Sequence, residues 1–159
     1  MGVLMMTVTK KEETYPELWL ESQSENLGIF FDIAINECGY SPKKITDYFI
    51  KSKMADLMSK GHPRFSAGCN GEELLMLCLD TNNVNSLNIE EMDGVQTSKE
   101  YWAGYMLAIY QWESGRNFVD ILKAVPLSKI IEAYTPLHES SEEKFYDVME
   151  HWISDVKGA

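Results

Sequence analysis

Apolar residues recur at helical spacing along most of the chain, and glycines, prolines and polar clusters cut that pattern into segments. The densest run is Tyr101–Trp112, where five aromatic residues and one polar side chain, Gln111, fill twelve positions. A surface helix returns to a polar stripe about every 3.6 residues. This run has almost none, so it reads as the central hydrophobic helix of an all-α domain. Tyr101, Tyr105, Ala108 and Trp112 share one face, and Trp102, Met106 and Ile109 share another. Two packing partners are therefore needed. Trp102, Leu107, Ile109 and Trp112 are assigned to the structural core, with Trp152 from the last helix. Gly104 costs about 1 kcal/mol of helix propensity relative to alanine. With Ala108 one turn on, it predicts that a second helix approaches closely.

The remaining pattern predicts a short helix from Pro16 to Gln23, then one capped by Ser24 that carries Leu27, Phe30, Phe31, Ala34 and Cys38 and stops at Gly39. Ser41-Pro42 has the form of a cap followed by a first helical proline. It opens a run through Ile45, Tyr48 and Phe49 that breaks near Ser52 and ends at Gly61. His62 to Cys69 reads as a loop. Asn70 caps a helix with Glu72 and Glu73 in its first turn, which suits the helix dipole. Residues 83–96 read as the least ordered internal stretch. Ser98 caps the central helix, Gly115 ends it, and Asn117 caps a short helix through Val119, Ile121 and Leu122. Pro126-Leu127 starts another, ending near Pro136. Ser140 or Ser141 caps the last, whose stripe is Phe145, Val148, Met149, Trp152, Ile153 and Val156. The expected architecture is one compact helical domain over residues 15–159, of about six to seven helices, preceded by a flexible tail over residues 1–14.

With 159 residues, 45% of them hydrophobic, the chain can bury a substantial core. The three cysteines form no disulfide framework and fit a reducing, cytoplasmic interior. The apolar N-terminus lacks the basic start of a secretion signal. The run at 101–112 is too short for a bilayer, so no membrane association is expected. Net charge is −11, which disfavours nucleic acid. Between Glu12 and Glu37 there are seven acidic residues and no basic one, whereas Lys43 to Lys60 holds five lysines against Asp47 and Asp56.

The chemistry is sparse. His62, His138 and His151 lack metal-site spacing, and no catalytic residue, metal or cofactor is assigned. Cys69 lies in a glycine-rich loop shortly after His62, whereas Cys78 reads as buried. Neither has a recognisable base and orienting group. Residues 117–135 superficially resemble a helix-turn-helix, but the second segment offers only Lys129 to DNA. Polarity gathers at the edge of the central helix and the His62–Asn70 loop. His62, Arg64, Glu72, Tyr105, Gln111 and Arg116 are therefore the ligand-pocket candidates.

Four stretches carry a resemblance: Leu27–Asp32 through Cys38-Gly39, Gly61–Phe65 through Gly71–Leu74, Tyr101–Gly104 through Trp112 with Gly115-Arg116, and Pro136–Glu139. Together they resemble a family of small uncharacterised acidic bacterial proteins of gut anaerobes and mobile elements, sometimes encoded near ADP-ribosyltransferase-like toxins. The resemblance implies an antitoxin-like or accessory role. With the acidic surplus, it leads to the expectation of an acidic cytoplasmic protein-interaction module with a protein partner. The alternatives are an enzyme or small-ligand binder using a pocket beside the central helix, and a DNA-binding regulator.

Overall fold

A computed structural model of the chain describes residues 15–85 and 88–158; the segment expected as an N-terminal tail lies outside them. Helix α1 occupies residues 17–37, as a 3-10 turn at Glu17–Trp19, regular helix over Leu20–Asp32 and a π-turn at Ile33–Glu37. The following helices are α2 (Pro42–Lys51), α3 (Met54–Ser59), α4 (Pro63–Ser66), α5 (Gly71–Thr81) and α6 (Lys99–Ser114). The chain then forms α7 (Phe118–Ala124), α8 (Leu127–Glu132), α9 (Tyr134–Leu137) and α10 (Glu142–Gly158). The fold is all-α, but the described residues form ten helices rather than six to seven.

The difference has local causes. Ser24 is not a cap. It sits inside α1 and donates its hydroxyl to the Leu20 carbonyl at 2.8 Å, so two expected helices are one. The break expected near Ser52 forms where Lys53 enters the left-handed region at φ 70°, and the Ser52 hydroxyl accepts from Met54 N–H at 3.2 Å. The His62–Cys69 loop contains α4, started by Pro63 and capped by the His62 ring, which accepts from Arg64 N–H at 3.2 Å. The 127–137 run divides at Ala133 because Pro136 has no N–H to give the Glu132 carbonyl one turn back.

Other termini form as the residue types dictate. Asn70 and Glu73 exchange two side-chain-to-backbone bonds of 2.8 and 2.9 Å, a complete capping box. Ser98 accepts from Tyr101 N–H at 3.0 Å, and Gly115 ends α6 with φ 73°.

The hydrophobic centre is shared. Within α6, Ala103, Leu107, Ala108 and Tyr110 are wholly buried and Ile109 nearly so, while Trp102 is half-buried against the core and Trp112, expected in the core, is half-buried outside the core cluster. Trp152 is likewise half-buried, on α10. The central, heavily packed element is α1 rather than the expected 101–112 run; it runs antiparallel along α6 and also meets α5. At one end of the α1–α6 pair the Trp112 indole donates to the Tyr15 carbonyl at 2.9 Å; at the other, Asn36 donates to Glu100 at 3.0 Å. Between them the backbones touch. A Cβ on Gly104 would lie 2.5 Å from the Leu27 carbonyl oxygen and 2.9 Å from Gly28 Cα.

The described residues of the 83–96 connection, 83–85 and 88–96, are tied down at Ile89 and Val95. Ile89 is buried within a 3-10 turn at Ile89–Glu91. The buried Asp32 carboxylate accepts from Val95 N–H at 2.7 Å, the Ser98 hydroxyl at 2.5 Å and Asn36 Nδ2 at 2.8 Å. One of the seven acidic residues between Glu12 and Glu37 thus anchors both this connection and the cap of α6.

Candidate functional site

That anchor sets the start of α6, and the first two turns of α6 build a cleft. Tyr101, Trp102 and Tyr105 form one wall, Tyr134 and His138 form the other, and Gln96, Thr97 and Ser98 close one side around a volume of about 300 Å³. The α9 wall is held by ring contacts. Tyr134 meets Trp102 edge-to-face at 5.6 Å, and His138 stacks on Tyr134 at 4.1 Å and 12°. The His138 Nδ1 lies 2.7 Å from the Tyr134 carbonyl, which fixes the ring further. Trp102 in turn packs edge-to-face on the buried Phe145 at 5.5 Å. The aromatic walls are therefore preorganised by core packing.

The surroundings are acidic. Glu21, Glu25 and Gly28 recur at helical spacing on the α1 face that meets α6, and the Gly28 backbone abuts the Tyr101 ring. Burial pushes the Tyr101 hydroxyl up to about 12, with the Glu25 carboxylate and Tyr105 adding to the shift. The Tyr105 hydroxyl is also raised, first by burial and then by Glu142, Glu21 and Glu25. These phenols stay neutral, and the negative field around them favours a cation.

The six pocket candidates are spread over several places. Tyr105 lines the aromatic cleft. Arg64 lines a different cavity of about 480 Å³, beside Cys69, Glu73 and Asp80. His62 is exposed and spends a ring nitrogen on capping α4. Glu72 is half-buried in the first turn of α5. Two pairs of the six are in contact: the His62 ring accepts from Arg64 N–H at the start of α4, and Gln111 Nε2 donates to the Arg116 carbonyl at 2.9 Å, joining the end of α6 to the turn after it. The Arg116 guanidinium pairs with Glu150 on α10 at 3.3 Å and donates from Nε to the Tyr110 hydroxyl at 3.0 Å. Tyr110 donates to Glu150, and burial followed by the Glu150 carboxylate raises its hydroxyl strongly. This triad ties α6 to α10.

The thiols are poor nucleophiles. Burial raises the Cys69 thiol, Glu73 adds to that and Arg64 partly offsets it. Burial pushes Cys78 up to about 12. Among the described residues, no His, Cys, Asp or Glu group has the arrangement to hold a metal ion, and no helix is long and apolar enough to cross a membrane.

Of the residues lining the cleft only Tyr105 is among the six pocket candidates; Gln96, Thr97, Ser98, Tyr101 and Trp102 are not, nor are the two that build the far wall, Tyr134 and His138. Their one visible signal was the four-residue spacing that stacks them on a short helix. No family model, curated protein or solved structure matches this chain.

Proposed function

We propose that this chain is an acidic cytoplasmic protein-interaction module, an accessory or antitoxin-like subunit, that receives a basic segment of its partner in the aromatic cleft beside α6. The observation that carries it is the convergence of Tyr101, Trp102, Tyr105 and Tyr134 on one concavity, with the Glu21 and Glu25 carboxylates of α1 close enough to add to the rise of the Tyr105 hydroxyl. Ring faces attract guanidinium and ammonium groups, each such contact contributing about 0.5–2 kcal/mol. Carboxylates beside the rings add long-range attraction and orientation. Net charge of −11 speeds encounter with a basic surface. The free thiols of Cys38, Cys69 and Cys78 suit a reducing compartment.

The test is to isolate the partner on the tagged full chain, purify it, and titrate it by calorimetry against variants. Tyr105→Ala weakens binding about tenfold, the size of one lost ring contact. The double change Glu21→Gln/Glu25→Gln lowers the association rate and its salt dependence. Partner affinity unchanged in both variants refutes the assignment of this cleft. The volume of about 300 Å³ is at the lower end for small-molecule sites and favours a second reading, a small organic cation on the same rings. A rise in melting temperature with arginine amide, absent in Tyr105→Ala and found with no protein partner, selects that reading.

A further inference from the structure

A second concavity lies across the molecule's charge pattern. A groove of about 520 Å³ runs between α2 and the corner where α7 turns into α8. Its apolar lining is Ile50, Leu122, Pro126 and Leu127; Leu122 and Leu127 are also part of the core. Its edge carries Lys43, Lys51 and Lys123 against a single acid, Asp47. Lys43 pairs with Asp47 at 3.3 Å, both well exposed. No ion pair among the described residues engages Lys51 or Lys123. In a chain of net charge −11 this is a local inversion of sign at an apolar site. The Thr46 hydroxyl, which also lines the groove, is buried without a hydrogen-bond partner. A buried hydroxyl in that state is expected to find an acceptor.

We infer that this groove binds a single-chain amphiphilic anion, with its hydrocarbon chain on the Ile50–Leu127 floor and its carboxylate or phosphate head among Lys43, Lys51 and Lys123. Apolar area supplies the affinity and the lysines supply the choice of head group. A neutral chain has no use for the lysines, and a cationic one is repelled by them. The site is separate from the aromatic cleft, with no lining residue in common.

Calorimetric titration of the full chain with decanoate, decyl phosphate, decanol and decyltrimethylammonium, each below its micelle concentration, tests this. Saturable one-to-one binding of decanoate or decyl phosphate is expected, with the tighter of the two identifying the head group. Decanol is expected to bind about tenfold more weakly or worse, and the anion's affinity to fall with added salt. The exposed double variant Lys51→Glu/Lys123→Glu loses about tenfold or more in anion affinity while leaving decanol unchanged, and Lys51→Arg/Lys123→Arg retains binding. Circular dichroism of each variant checks that the fold is intact. Equal affinity for decanol and decanoate overturns the inference. So does unchanged anion binding in the charge-reversed variant, the absence of any saturable binding, or saturable binding confined to an acidic amphipathic peptide.

Discussion

Replacing Gly104 by alanine sets two energies against each other. Helix propensity alone predicts a gain of about 1 kcal/mol, since glycine is the poorer helix former. Packing predicts a loss. The new Cβ lies 2.5 Å from the Leu27 carbonyl oxygen, 2.8 Å from Leu27 C and 2.9 Å from Gly28 Cα, all of them backbone. No rotamer change relieves that contact. To restore the 3.4 Å of ordinary van der Waals contact, α1 and α6 must part locally by about 0.9 Å. Overpacking of a dense core costs about 1–3 kcal/mol, and a rigid backbone neighbour puts this site at the upper end. Subtracting the propensity gain leaves a net loss of about 2 kcal/mol, or roughly 4–8 °C in melting temperature for a domain of this size. Denaturant unfolding followed by circular dichroism measures it. Gly28→Ala, whose Cβ would meet the Tyr101 carbonyl at 2.9 Å, perturbs the same crossing. The double variant should therefore cost less than the sum of the singles. A neutral or stabilising Gly104→Ala would refute the backbone-to-backbone packing of α1 on α6.

Three further outcomes follow from named contacts. Leu107→Ala, at a wholly buried site, should cost about 2–5 kcal/mol by cavity formation, read from the same unfolding curves. Asp32→Ala leaves Val95 N–H and the Ser98 hydroxyl without their acceptor and removes one of the two acceptors of Asn36, which keeps Glu100. It should cost roughly 3 kcal/mol and raise hydrogen exchange selectively at Val95 and in the first turn of α6. The Asp56 carboxyl is held below its ordinary value by hydrogen bonds from Lys60 and then Asn117. Its contribution to stability is full above the unfolded carboxylate value of about 3.9 and is lost as pH falls through the lower folded value. Asp56→Asn should flatten the acid limb of a stability–pH profile and leave the slope near neutrality unchanged.

Helix starts governed by local chemistry were legible in the sequence: Ser41-Pro42, Asn70 with Glu73, Ser98 and Asn117 all cap where their residue types predict. Features that depend on distant partners were not. A cap serine and a serine bonding back one turn have the same local pattern, so Ser24 in isolation suggested a boundary that α1 does not have. The break near Ser52 was legible from the displaced apolar face, but no glycine or asparagine marks Lys53 as its left-handed residue. Asp32 is indistinguishable along the chain from the solvated acids around it until α6 folds over it. Arg116 has an acid three residues away, yet its ion pair is with Glu150 on another helix. The aromatic cleft shows the same limit. Tyr101, Trp102 and Tyr105 were visible as a hydrophobic surplus, and only the docking of α9 turns part of that surplus into a concave wall.

The claim that this cleft receives a basic group is tested most directly by nuclear magnetic resonance. The full chain is titrated with a short arginine-containing peptide at physiological salt. The cleft predicts saturable shifts concentrated at the Trp102 indole N–H, the Tyr105 ring and the His138 ring, reduced about tenfold in apparent affinity by Tyr105→Ala. Weak, non-saturating shifts scattered over the exposed acidic residues, unchanged by Tyr105→Ala, would contradict it.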